Sequence, residues 1–309
     1  MTQTAILFAG QGAQTVGMGK DLAEQFPAAR AWFDRANAAL GYDLASICFE
    51  GPETEVTKTE HAQPGIYLVG WVAWQLLREQ VPGLEAHAAA GLSLGEFTAL
   101  AAAGAMSFED GLRVVRERGR FMQDACERTQ GGMAAIIGLD EAATREACSE
   151  AGVEIANLNC PGQIVISGSI ASLEKACELA KARGAKRALP LTVAGAYHSA
   201  LMQSAQGPLE QVLAGVDIQA PSMTVVANVT AQPHGDPAAI RGLLARQVTA
   251  SVRWEESVRH LLGAGFTRFI ELGPGTALTG FLRRIDKGAQ VLNVADAASL
   301  EATVKALQG

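Results

Sequence analysis

Gly91-Leu92-Ser93-Leu94-Gly95 reads G-x-S-x-G, and its flanks limit what the segment can be. Ala88-Ala89-Ala90 runs into the motif, and Glu96-Phe97-Thr98-Ala99-Leu100-Ala101-Ala102-Ala103 runs out of it. A short apolar run entering and a helix-forming run leaving predict a sharp strand-to-helix turn that lifts a serine hydroxyl clear of the backbone. Glycines two residues before and after the serine remove the side chains that would clash in so tight a turn. The helix start behind Ser93 leaves backbone N–H groups free to meet a developing oxyanion. Ser93 is therefore a candidate nucleophile. In a chain with 33 glycines among 309 residues the motif also matches ordinary turns, so it needs partners elsewhere.

The length suits one large domain, or a large domain with a smaller insert, with ample core. A hydrophobic content of 49% against 18% charged residues describes a compact chain, not a disordered one. No apolar run reaches the ~18 residues of a membrane span, and Met1-Thr2-Gln3-Thr4 lacks the basic stretch of a secretory signal, so a cytoplasmic protein is expected. Cys48, Cys126, Cys148, Cys160 and Cys177 are odd in number and contain no C-x-x-C pair, which argues against a disulfide framework or a zinc site. The net charge of −7 disfavours nucleic acid as a partner. Arg113, Arg116, Arg118 and Arg120, and the pairs Lys186-Arg187 and Arg283-Arg284, read mostly as solvated helix faces or loops.

Along the chain, Ala5-Ile6-Leu7-Phe8 reads as a buried strand stopped by Gly10-Gln11-Gly12. Helical patterns follow over residues 21–40 and 66–77, then from the Ser93 turn to about Arg128. From Gly131 the order becomes strand (133–137), helix (141–151), strand (153–158), strand (163–167), helix (173–183), strand (187–193), with Asn159-Cys160-Pro161-Gly162 as a turn. This βαββαβ order is the ferredoxin-like unit. It predicts an α/β core over 1–128 and 195–309, with residues 129–194 as an inserted subdomain. Residues 224–228 and 269–272, the latter ending in Gly273-Pro274-Gly275, return to buried-strand texture.

A serine hydroxyl needs a base, and histidine titrates in the right range. His61, His87, His234 and His260 sit among polar neighbours or near loops, where exposure is expected. His198 follows Ala194-Gly195-Ala196-Tyr197, where the insert hands the chain back to the core. A glycine-containing junction loop is a common place for a catalytic side chain, although a hydrogen-bonded structural histidine fits there too. Among Asp110, Asp124, Asp140 and Glu154 no acid stands out to orient it. In ordinary α/β-hydrolases an acid follows the serine and precedes the histidine; here either a backbone or amide oxygen orients the ring, or the analogy with them fails. Gln11, between glycines at a strand end, can bring its backbone N–H close to a ligand. Arg118 lies on the helix after the one leaving the elbow, and a guanidinium in a cleft grips a carboxylate at two points.

Together, Phe8-Ala9-Gly10-Gln11-Gly12-Ala13-Gln14, Ala62-Gln63-Pro64, Gly91 to Glu96, Arg118-Gly119-Arg120-Phe121-Met122-Gln123, Asn159-Cys160-Pro161-Gly162-Gln163, His198-Ser199-Ala200-Leu201-Met202 and Gly273-Pro274-Gly275 resemble the malonyl-CoA:acyl carrier protein transacylases, relatives of the acyltransferase domains of fatty acid and polyketide synthases. The segments run in family order over nearly the whole chain. The resemblance implies an α/β-hydrolase-like core carrying the ferredoxin-like insert. It implies a ping-pong exchange in which Ser93, activated by His198, takes the malonyl group of malonyl-CoA and yields it to the phosphopantetheine thiol of acyl carrier protein. It maps the oxyanion-binding N–H groups to Gln11 and Leu94, the carboxylate ligand to Arg118, and the carbonyl that orients His198 to Gln247. It implies no metal and no cofactor, and many relatives work as monomers. Leu92 departs from the family, which usually has histidine before the nucleophile, so rate and acyl preference are the properties it touches. Tyr197, bulky beside His198, is expected to disfavour methylmalonyl. Lys186-Arg187 and the arginines near Arg118 are expected to dock an acidic carrier protein. A thioester hydrolase and a non-catalytic scaffold of the same fold are the rival readings.

Overall fold

The computed structural model describes residues 2–309. Its larger sheet has five strands, β1 (Gln3–Phe8), β2 (Ala88–Gly91), β7 (Thr224–Val225), β8 (Phe266–Leu272) and β9 (Gln290–Val294), in the order β7-β2-β1-β8-β9. Every pairing in it is parallel. A parallel sheet is buried on both faces, and β1 shows it residue by residue. Ile6 and Phe8 enter the apolar cluster that holds the Thr59–Gln80 helix, while Ala5 and Leu7 enter a second cluster with Trp254 and Phe269. Ala88, Ala89 and Ala90 are all fully buried, so β2 spends no volume between its flanking layers. The register sets Phe8 beside both Gly91 and Leu272. The carboxyl ends of β1, β2 and β8 therefore finish at one level, and the loops after them share a single crevice, the usual site for a ligand in a parallel sheet.

The second sheet contains β3 (Gly131–Ile137), β4 (Glu154–Cys160), β5 (Gln163–Ser169) and β6 (Arg187–Pro190), antiparallel throughout in the order β4-β5-β3-β6. Helices Glu141–Ala151 and Ile170–Ala182 cover one face, burying Ala134, Ile136, Ile155, Ile166, Leu173 and Ala176 in a core of their own. The expected α/β fold with a ferredoxin-like βαββαβ unit is thus present. The two sheets meet where β4 lies against residue 252: Leu158 N donates to Val252 O, and Val252 N to Ala156 O. Arg284 adds a clasp, donating to Gln163 Oε1 and to Pro161 O, each at 2.9 Å.

Several expected elements differ in extent; the helix read over 66–77, for one, runs from Thr59 to Gln80. The helix read over 21–40 is two helices, Lys20–Gln25 and Pro27–Leu40, because Phe26 is held extended by the proline that follows and Pro27 opens a new helix. The strand read over 187–193 ends at Pro190, which has no N–H to continue a ladder. Only Thr224–Val225 of 224–228 is strand, since the chain then turns back to bridge Val226 with Pro233. No described helix is long and apolar enough to cross a membrane. All five cysteines are free and buried.

Candidate active site

Ser93 sits at the predicted turn, between the end of β2 and the start of the Leu94–Ala102 helix, with φ 51° and ψ −102°. A non-glycine residue at positive φ is strained and persists only where its surroundings over-determine it. Here they do. A Cβ on Gly91 would lie 1.9 Å from the Gly95 carbonyl carbon, and one on Gly95 would lie 2.2 Å from Phe8 O. Gly10 is bound by the same packing, with Leu92 O 2.3 Å from where its Cβ would stand. Asn228 ties the turn from outside, its Oδ1 accepting from Ser93 N at 2.6 Å and its Nδ2 donating to Gly91 O at 2.7 Å.

His198, also at positive φ (57°), reaches the same point. Its Nε2 is 2.8 Å from Ser93 Oγ, and its Nδ1 faces two carbonyls, Gln247 O at 2.8 Å and Ala250 O at 3.2 Å. Carbonyls only accept, so Nδ1 carries the proton and Nε2 is left to accept the serine O–H. Burial holds the imidazole pKa down to about 4, helped by the Arg118 charge and opposed by the two carbonyl hydrogen bonds. The ring is therefore a neutral base across the physiological range. Both partners of Nδ1 are backbone carbonyls, the nearer that of Gln247, and among the described residues no carboxylate reaches it.

Arg118 comes from the Phe108–Arg128 helix, whose buried stripe runs Gly111, Val114, Val115, Arg118, Gly119, Met122. It occupies a core position by helical periodicity. Arg113, Arg116 and Arg120 lie off that stripe, Arg113 and Arg120 exposed and Arg116 half-buried, and pair with Asp110 or Glu117. Arg118 is 1% exposed; its Nη1 donates to Gln63 Oε1 at 2.7 Å, and its Nη2 to Ser93 Oγ at 3.0 Å and Gln247 Oε1 at 2.9 Å. Its Nε has no partner among the described residues. Burial lowers the guanidinium pKa to about 10, with Glu96 and Tyr197 opposing, so it stays charged near neutrality.

The serine oxygen thus lies between a neutral base and a buried cation. Gln11 follows β1 and Leu94 heads the helix behind Ser93; among the described residues, neither backbone N–H has an acceptor. The Gln11 side chain is held by Tyr197, whose hydroxyl accepts from Nε2 at 3.2 Å and shares a 2.6 Å hydrogen bond with Thr59. Leu92 turns away to pack on the cluster of Val252 and Phe269. His234, expected to be exposed, has no exposed side-chain surface and donates from Nε2 to Glu96 Oε1 at 2.8 Å, because the loop after Asn228 folds back beneath the elbow. Asn228, Gln63 and Glu96 also belong to the site; Gln63 and Glu96 lie within the Ala62-Gln63-Pro64 and Gly91 to Glu96 segments, whereas no local signal marks Asn228.

The acyl transferase domain family matches residues 6–305 of this sequence. The chain belongs to that family. It is 43% identical to the malonyl CoA-acyl carrier protein transacylase of Bacillus subtilis (strain 168), over 100% of this chain and 98% of that protein. It is 44% identical to the protein of that name from Escherichia coli (strain K12), over 92% and 93% of the two chains. Among solved structures it resembles a malonyl-transacylase in complex with its type II polyketide synthase acyl-carrier protein, with TM-score 0.95, 39% identity, and 99% and 100% of the chains covered. In this acyl transferase, Ser93, His198 and Arg118, drawn from three separate stretches, meet at one oxygen atom.

Proposed function

We propose that this acyl transferase moves the malonyl group from malonyl-CoA to the phosphopantetheine thiol of an acyl carrier protein, for fatty acid or polyketide synthesis. One observation carries the reading: Ser93 Oγ lies 2.8 Å from His198 Nε2 and 3.0 Å from Arg118 Nη2. A base beside the hydroxyl makes a nucleophile, and a buried cation beside it selects an acyl group that ends in a carboxylate.

In the first half-reaction, Ser93 Oγ attacks the thioester carbonyl carbon as His198 Nε2 takes its proton. The oxyanion is met by the Gln11 and Leu94 N–H groups. Collapse breaks the C–S bond, the proton passes from His198 to the CoA sulfur, and a malonyl ester remains on Ser93 with its carboxylate on Arg118. In the second, His198 takes the carrier thiol proton, the sulfur attacks the ester carbonyl, and Ser93 recovers its proton. Gln247 O holds the imidazole in place through both steps. The thioester is already activated, so the chemistry needs neither metal nor cofactor. We place the protein in the cytoplasm.

A hydrolase of plain acyl thioesters fits less well, because a buried guanidinium facing an acyl chain without a carboxylate would be an unmatched charge. Mixing the protein with malonyl-, methylmalonyl- and acetyl-CoA, followed by intact mass measurement and addition of carrier protein, tests the reading. A malonyl adduct that disappears in Ser93→Ala and is discharged onto the carrier supports it. An absent adduct, or one discharged only to water, refutes it.

A further inference from the structure

Beneath the elbow lies a second layer of buried polar side chains that the transfer steps do not touch. Glu96, in the first turn of the helix that leaves Ser93, is fully buried. Its Oε1 accepts from His234 Nε2 at 2.8 Å; its Oε2 accepts from Asn228 N at 3.0 Å and from Gln247 Nε2 at 2.5 Å. Gln247 links this layer to the site. Its Nε2 also donates to Ser93 O at 3.0 Å, its Oε1 accepts from Arg118 Nη2 at 2.9 Å, and its backbone oxygen orients His198.

A primary amide has nearly the same shape in both flipped states, so its neighbours decide which end faces where. The guanidinium offers only donors and the carboxylate only acceptors. With the amide as found, both ends are matched; flipped, both would be opposed. Arg118 alone favours the same orientation, but Arg118 is the group that must turn toward an incoming substrate. While that happens the amide nitrogen is held by the Ser93 carbonyl at 3.0 Å and, at 2.5 Å, by Glu96, the one charged acceptor it has among the described residues. The placement of charge matters as well. The three acceptors on Arg118 are neutral: Gln63 Oε1, Gln247 Oε1 and Ser93 Oγ. The compensating anion stands one amide away, near enough to support the buried cation without occupying it.

We propose that Glu96 is a positioning residue: it clamps the Gln247 side-chain amide, which presents the Arg118 guanidinium to Ser93 while leaving it free for a substrate carboxylate. The inference rests on the proposed malonyl transfer. It predicts a loss confined to acyl donors that need Arg118.

The test measures acylation of Ser93 by malonyl-CoA and by acetyl-CoA in the native protein, Glu96→Ala and Glu96→Gln. In Glu96→Ala, KM for malonyl-CoA rises by about tenfold or more, the effect of one lost charge-assisted hydrogen bond, while acetyl acylation changes by less than about threefold. Glu96→Gln keeps an acceptor for Gln247 Nε2 and recovers most of the malonyl loss. Should Glu96→Ala fail to fold, Glu96→Asp, which keeps the charge but draws the carboxylate back from Gln247 Nε2, must show the same malonyl-selective loss. Equal losses with both donors, no loss with either, or a Glu96→Gln variant as impaired as Glu96→Ala overturns the proposal. A native protein that takes no malonyl group at all refutes the transfer reading, a result distinct from these.

Discussion

The acid limb of catalysis is where burial of His198 becomes measurable. The ring must be neutral to take the Ser93 proton, and its pKa is held at about 4 instead of 6.5. Near pH 5.5 only about a tenth of an ordinary imidazole is neutral, whereas nearly all of His198 is, so kcat/KM for Ser93 acylation should be roughly tenfold above that of an unperturbed histidine enzyme. The depression corresponds to roughly 3 kcal/mol in favour of the neutral ring. Burial is the main cause, so most of the displacement should survive removal of any one neighbour. Arg118→Met removes the second cause, the adjacent positive charge, and should move the acid limb upward by a smaller amount. Rapid-quench acylation with acetyl-CoA, which has no carboxylate to lose its partner, reports both limbs. The same pKa has a folding consequence. Below pH 6.5 the unfolded chain binds a proton at this histidine and the native protein does not, so stability falls as pH drops from 6.5 toward 4, by up to about 3 kcal/mol. A native acid limb near 6.5, or a limb unmoved in Arg118→Met, would refute this account of the base.

Arg118→Ala should reduce malonyl acylation by roughly a hundredfold or more, the worth of a paired buried charge, while sparing acetyl transfer or improving hydrolysis of unbranched acyl thioesters; parallel kinetics with both donors check it. Tyr197→Ser should lower the malonyl to methylmalonyl preference by ~1–3 kcal/mol in competition assays, because it opens space beside His198; an unchanged ratio would remove Tyr197 from selectivity. Gly95→Ala should leave little folded protein by circular dichroism, since its methyl would stand 2.2 Å from Phe8 O, backbone that cannot yield cheaply. Lys186→Glu should slow transfer to the carrier protein while leaving Ser93 acylation by malonyl-CoA unchanged, and stopped-flow comparison of the two steps separates them.

Much of this arrangement could be read from local pattern, because local pattern produces it. The elbow needs glycines at Gly91 and Gly95 for contacts of the turn with itself and with β1, and those glycines are visible in any reading of the chain. The βαββαβ order was legible because each element carries its own period and its own turn residues. Arg118 was nearly lost among its neighbours, yet helical periodicity puts it on the buried stripe with Val115 and Met122, the one signal that separates it from Arg113, Arg116 and Arg120. What could not be read is what depends on distant segments meeting. Asn228 looks like a loop polar residue until the fold sets it against Ser93, and Gln247 is legible only through the family resemblance, not from its own surroundings in the chain. His234 looked exposed because its chain neighbours are polar, but its burial is decided by Glu96, 138 positions away. The half-buried strand β9 carries too weak an alternation to announce itself before β8 pairs with it.

The central claim is that one oxygen, one imidazole and one guanidinium act on the same three-carbon diacid. The most direct measurement is a crystal structure of the native protein soaked with malonyl-CoA in the absence of carrier protein or any other acceptor thiol. The account predicts a malonyl ester on Ser93, its free carboxylate on Arg118 and its carbonyl oxygen between the Gln11 and Leu94 N–H groups. An ester carboxylate directed to solvent or to another cation, or malonyl density attached to any other side chain, would contradict it.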